Sequence, residues 1–285
     1  MSSDHKYPVL ILCGRDENRR ELMRVLDPDG KYPSKSLLPM HGRRVLDWEL
    51  DAFCDSPSVG EIYLIGLSAE DFPCPHKLSF IPISTTTTIL EKIVQGSEVV
   101  MKDHPGYEHL IISTGDVPGM STAAVELFFD ALRNNQDTDV LISGVPEEIT
   151  LEFFPEHGRV VGRFKDHNIY PGEMMAFRHS IIPVLKNEID QLSIRRRQFN
   201  RRSDTSRLIP VMKYLAKRPR LWIMILRYLS RNISVEEMEK TLSRVYHMKL
   251  KSVIIPDPGF GMDLDLPEDY QKLSDYLKVI KIQEV

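Results

Sequence analysis

Three short stretches hold the side chains with chemistry to offer. In "HLIISTGDVPGMS" (109–121) an apolar run ends at a small-residue step and presents one carboxylate, Asp116, before a Val-Pro-Gly turn. In "GMDLDLPED" (261–269) Asp263 and Asp265 alternate with Met262 and Leu264. An extended backbone there puts both acids on one face and both apolar side chains on the other. In "PSKSLLPMHGRRVLDW" (33–48) Lys35 precedes an apolar turn. Two convergent acids beside a third from another loop make the hard, oxygen-rich donor set that suits Mg²⁺. A nearby lysine can hold a phosphate as a point charge. Blander readings of the same residues stand beside these. An acid before a turn also caps helices, although Ser121 is available for that role, and acids flanking a helix start are common on surfaces. By spacing alone Lys35 is one solvated lysine among many. Glu268 and Asp269 read as first-turn partners of the last helix dipole. None of the nine histidines forms an H-x-x-x-H or H-E-x-x-H pair, which speaks against a zinc site.

Positioning these groups requires a scaffold, and short β-branched apolar runs supply one. Segments 8–13, 61–67, 78–83, 109–114 and 139–145 have the length of buried strands. Between them, 44–53, 88–100 and 121–132 carry apolar residues at helical spacing, with Ser121 as a plausible cap. Strands alternating with helices predict a mostly parallel sheet with helices on its faces. Asp116 then lies just past the carboxyl end of a central strand, where open sheets bind their ligands. From 153 to 177 the sequence predicts short strands with Gly158, Gly162 and Gly172 at turns. A strand at 251–255 and a final helix close the chain.

Apolar and charged contents of 42% and 27% permit a sizeable core, and the net charge of −4 argues against a general nucleic-acid binder. Cys13, Cys54 and Cys74 have no ligand spacing and suggest a reducing compartment. No apolar run reaches the ~20 residues of a spanning helix, so the expected location is the cytoplasm.

In chain order, four segments resemble the nucleotidyltransferases with a MobA-like NTP-transferase domain, relatives of the sugar-nucleotide, molybdenum-cofactor and cytidylyl transferases. They are "VLILCG" (9–14), "SKSLLPMHGRRVLDW" (34–48), "ISTGDVPGMS" (112–121) and "FGMDLDLPEDYQKL" (260–273). The resemblance covers 8–184 and 251–277. It implies an α/β, mostly parallel, Rossmann-like (GT-A-type) three-layer sheet with a helical insertion before the last strand. Residues 1–285 would form one such domain, with 194–248 inserted. The implied activity is Mg²⁺-dependent coupling of an NTP, CTP or GTP, to a phosphorylated acceptor with release of pyrophosphate. Lys35 and Asp116 would be the catalytic pair, and Asp116, Asp263 and Asp265 would hold the metal. Gly14, Arg15, Arg19, Lys35, Thr86 and Gly115 would line the nucleotide site.

One segment departs from the family. Where it carries a glycine-rich phosphate loop, this chain reads "CGRDENRREL", which keeps Gly14 and adds Asp16 and Glu17. Arg15, Arg19 and Arg20 could replace the glycines' backbone donors as cationic clamps. Two other functions therefore stay open: a GT-A-type glycosyltransferase using a nucleotide-sugar, and a catalytically degenerate nucleotide-binding protein.

Between 194 and 220 stand ten Arg and Lys residues against one acid, Asp204, followed by the apolar "LWIMILRYL". This block reads either as a solvated basic face plus a helix buried on the domain or a homodimer partner, or as an anion-attracting lid. A third reading, over 194–229, is a peripheral patch for anionic lipid.

Overall fold

The apolar runs pair into one eight-stranded sheet. The computed structural model describes residues 6–14, 21–83, 88–155, 159–184 and 218–280. Strands β1 (Tyr7–Leu12), β4 (Val59–Ile65), β5 (Leu78–Ile81), β6 (His109–Thr114), β7 (Val140–Pro146), β9 (Asn168–Arg178) and β10 (Leu250–Ile254) lie in the order β10-β7-β9-β6-β1-β4-β5, and β8 (Gly162–Arg163) pairs with β9. A separate ribbon joins β2 (Pro39–Met40) and β3 (Arg43–Arg44). The neighbours β1/β4, β1/β6, β4/β5 and β7/β10 run parallel, whereas β9 is antiparallel to both β6 and β7. The chain winds outward from β1 through β4 to β5 and then returns to β6 on the other side of β1. That reversal opens a crevice past the carboxyl ends of β1 and β6.

Period-two alternation divides β1 between the two faces. Val9 and Ile11 pack with α2 (Val45–Cys54) and α4 (Thr122–Asn134), while Leu10 packs with α3 (Ile89–Asp103). A third apolar cluster joins α1 (Glu21–Leu26) to the C-terminal helix α8 (Pro267–Ile280) through Leu22, Met23, Leu273 and Leu277. Helices thus cover both faces of a mostly parallel sheet, the expected three-layer arrangement. Their starts follow side-chain capping. Ser121 accepts from the Ala124 N–H at 3.1 Å, and Thr88 and Glu91 cap each other reciprocally.

Segment 153–177 differs from its expectation. Short α5 (Glu147–Phe153) is followed by two-residue β8 and by a single eleven-residue β9, whose ladders on both sides hold it extended. Gly172 lies inside β9 and not at a turn. A Cβ there would stand 2.4 Å from Ser143 Oγ and 2.9 Å from the Phe260 ring, so close packing demands the glycine. Gly158 lies outside the described residues, as does 185–217, which contains most of the basic block. The described part of the insertion is α6 (Pro219–Leu229) and α7 (Val235–Tyr246), which precede β10. The apolar helix is not buried against the domain: Leu221 is its one buried residue.

Two glycines bring the loop after β6 against the loop before the Asp263 segment. A Cβ on Gly259 would stand 2.1 Å from the Gly119 carbonyl oxygen, and one on Gly119 would meet Gly259 Cα at 2.9 Å. Gly259→Ala is expected to cost about 1–3 kcal/mol through separation of these loops, measured as a lower urea midpoint. An unchanged midpoint would show that the contact is dispensable.

Candidate active site

The Asp116 loop is tied down on both sides. The Gly115 N–H donates to the Leu12 carbonyl at 3.1 Å, which fixes the loop to the end of β1. A side chain at Gly115 would meet Cys13 Sγ at 2.7 Å. The Asp116 carbonyl in turn accepts from the Leu264 N–H at 3.0 Å. Met262 and Leu264 are fully buried, so alternation turns Asp263 and Asp265 outward on either side of that bond. One carboxylate oxygen from each of Asp116, Asp263 and Asp265 lies within 4.8 Å of the others. The structure therefore brings together acids that are distant in sequence.

Two cations stand among them. Lys35 opens a 3₁₀ turn (Lys35–Leu37) capped by Ser34, and its ammonium pairs with Asp116 and, at 2.5 Å, with Asp265. Burial works to lower the Lys35 pKa, but the two carboxylates outweigh it, and the net shift is upward. Arg159 bonds the carbonyls of Gly261 at 2.6 Å and Asp263 at 2.8 Å, pairs with the Asp263 carboxylate, and lies 3.7 Å from Glu173. Arg163 and Lys165 stand on the same segment, and residue type alone does not separate the three cations.

Beneath the acids lie two carboxyls that sequence reasoning did not select. Glu49 of α2 is fully buried. It accepts from Ser113 Oγ at 2.8 Å and from the Val117 N–H at 3.3 Å, and so supports the Asp116 loop from below. Burial, aided by the Asp116 charge, pushes its pKa well above the ordinary carboxylate range despite the Ser113 bond. Glu173 of β9 is raised to about 7, by burial first and then by the Asp116 charge, with Arg159 opposing. The signals for both were acids at core positions: Glu49 on the apolar face of a helix, Glu173 within an apolar strand. Lys92 of α3 was also missed. It is 7% exposed and donates to the Cys13 carbonyl at 2.9 Å, and burial lowers its pKa.

Lys35, Lys92, Asp116, Asp263 and Asp265 border a cleft of about 470 Å³, whose walls also include Gly14 and Thr88. That volume falls in the range of small-molecule sites. Around Gly14 a Cβ would meet nothing within 4 Å, so the glycine leaves open space at the end of β1. Arg15, Arg19 and Thr86 lie outside the described residues. The donor set fits a divalent cation: three carboxylates converge, and the buried Oδ1 of Asp116 has no hydrogen-bond partner among the described residues.

Comparison with known proteins bears on the fold. No protein-family model and no curated protein matches the chain. Among solved structures, a hypothetical transferase from Thermus thermophilus is similar at 21% identity and TM-score 0.65, covering 93% of this chain and 99% of its own. CMP:2-keto-3-deoxy-manno-octonic acid synthetase, complexed with CTP, is similar at 11% identity and TM-score 0.56, covering 98% and 100%. The 4-diphosphocytidyl-2C-methyl-D-erythritol synthase of Anaerococcus prevotii is similar at 13% identity and TM-score 0.52, covering 97% and 100%. The chain has the Rossmann-like fold shared by these transferases.

Two outcomes follow for the buried carboxyls. Because burial favours the neutral form of Glu49, Glu49→Gln should retain near-wild-type stability at pH 7, whereas Glu49→Ala should lose about 2–4 kcal/mol in denaturant titration. Equal losses would show that the charge matters. Glu173 keeps its proton to about pH 7 when folded but releases it near the ordinary 4.5 when unfolded. Folding stability attributable to it therefore falls as pH rises from 4.5 to 7. Glu173→Gln should gain on the order of 3 kcal/mol over the wild type at pH 8 and nothing at pH 4. A gain independent of pH would refute that proton's placement.

Proposed function

We propose that the protein is a Mg²⁺-dependent nucleotidyltransferase of the MobA-like group. The observation that carries this reading is the meeting of Asp116 with Asp263 and Asp265 beside Lys35, in a cleft at the strand-order reversal. A phosphorylated acceptor attacks the α-phosphorus of the NTP in line. The new P–O bond forms as the bond to pyrophosphate breaks, and the freed electron pair leaves with pyrophosphate. Such transfer needs positioning and charge neutralisation more than covalent help. Mg²⁺ held by Asp116, Asp263 and Asp265 would supply Lewis acidity towards phosphate oxygens.

The chain's own residues do the rest. Lys35 exchanges its carboxylate partners for nucleotide phosphates, and Arg15 and Arg19 neutralise the departing pyrophosphate. Gly14 and Gly115 keep the walls low for close approach. Thr86 hydrogen-bonds the base or ribose. Arg159 anchors the Asp263 segment through two carbonyls, which holds that carboxylate facing the cleft. CTP is the preferred nucleotide over GTP, in line with the cytidylyl chemistry named for two of the similar structures. The three free cysteines fit a cytoplasmic setting. Among the described residues, no helix is long and apolar enough to cross a membrane.

A coupled pyrophosphate assay across the four NTPs and a panel of sugar, polyol and cofactor phosphates tests the reading. Asp116→Asn should lower turnover by about 10³-fold or more while leaving the circular dichroism spectrum intact. Release of a nucleoside diphosphate from a nucleotide-sugar would identify a glycosyltransferase instead. Nucleotide binding without release of either product would identify a non-catalytic protein.

A further inference from the structure

Helix α6 has its apolar stripe on the wrong side for a soluble domain. A surface helix turns that stripe to the core, yet Ile223, Leu226 and Leu229 are 60%, 62% and 72% exposed. At 100° per residue these three and Trp222 fall within an arc of about 120°. Arg220 and Arg227 lie along one edge of that arc, and the helix contains no acid. Its inner side is fixed in place. Leu221 is buried, and the Tyr228 ring meets Phe164 edge-on at 5.5 Å while its hydroxyl accepts from the Arg163 N–H at 3.4 Å. Arg227 bonds Glu237 of α7 at 2.8 Å. The outward face is therefore a set feature of the packing.

We propose that α6 is an interfacial helix that seats the protein on an anionic phospholipid bilayer. An apolar stripe edged by arginines matches the two layers of a membrane surface. Ile223, Leu226 and Leu229 enter the acyl boundary, while the exposed Arg220 and Arg231 meet lipid phosphates. The local charge agrees: residues 195–231 contain twelve Arg and Lys against Asp204 alone, in a chain whose net charge is −4. A second copy of the chain fits this face poorly. An isologous contact through α6 would oppose like rows of arginine with no acid in the helix to pair them. An eleven-residue helix is also only about 16 Å long, too small to supply the roughly 800 Å² per partner of a stable dimer. This inference is independent of the transferase reading.

The test is sedimentation of the full chain with vesicles of phosphatidylcholine alone or mixed with phosphatidylglycerol. The protein should pellet with the mixed vesicles, release as salt is raised, and stay soluble with phosphatidylcholine. Trp222 emission should shift to the blue on binding, and Trp222→Phe should abolish the shift, because the other tryptophan, Trp48, is already buried. Arg220→Gln with Arg231→Gln should weaken partitioning about thirtyfold. Ile223→Ser with Leu226→Ser should weaken it more than about tenfold. Both pairs should leave the circular dichroism spectrum unchanged, since the four side chains lie on the surface. Equal pelleting with both vesicle types, no pelleting, or undiminished pelleting of either double variant would overturn the proposal. So would an ultracentrifuge dimer that Ile223→Ser with Leu226→Ser dissociates while vesicles bind nothing.

Discussion

Like charges brought close together set the terms for this structure. Two carboxylate oxygens 4.8 Å apart repel by about 3 kcal/mol at an effective dielectric near 20, and Asp116, Asp263 and Asp265 come within that distance. The fold tolerates this because Lys35 and Arg159, far apart in the sequence, enter the cluster as internal counter-ions. The same constraint reaches the layer below. Any further anion there would add to the repulsion, and both Glu49 and Glu173 have pKa values raised by burial and by the Asp116 charge. The site is thus a charged upper layer of acids and cations above two carboxyls that favour their neutral forms.

Backbone bonds hold that cluster together against its own repulsion. The Leu264 N–H to Asp116 carbonyl bond and the Gly119–Gly259 contact join the loop after β6 to the segment before α8. Buried Met262 and Leu264 supply the hydrophobic anchor. Removing them from water drives the segment onto the domain, and alternation leaves its acids nowhere to face except the cleft. Packing energy from apolar residues thereby offsets electrostatic cost at their neighbours.

Much of this was legible in residue types. Buried parallel strands announce themselves as β-branched runs, and β6 was read with its boundaries intact. The converging acids were legible from the D-x-D alternation and from the small-residue step before Asp116. Strand β9 was not, because its glycine and its acid mimic turn signals. Only the proximity of Ser143 and Phe260 explains Gly172. Glu49 and Glu173 were hidden for a related reason: an acid in a core position looks like an error in the pattern until its tertiary partners are known. Among Arg159, Arg163 and Lys165, only the carbonyls of Gly261 and Asp263 distinguish the first, and those lie about a hundred residues away in the chain.

The loop after β1 fits the same electrostatic terms. A glycine-rich loop offers backbone N–H groups to an anion, but the described start of this loop offers Gly14 alone. Lys92, nearly buried in the first turn of α3, donates to the Cys13 carbonyl at the point where that loop leaves the strand. A lysine there is doubly disfavoured, by desolvation and by the positive end of the helix dipole. No carboxylate among the described residues pairs with it. The cleft therefore has a strained lysine on one wall and the acid cluster on another. A negatively charged ligand entering it would relieve the lysine while a cation relieved the acids, so ligands of opposite sign favour each other's binding.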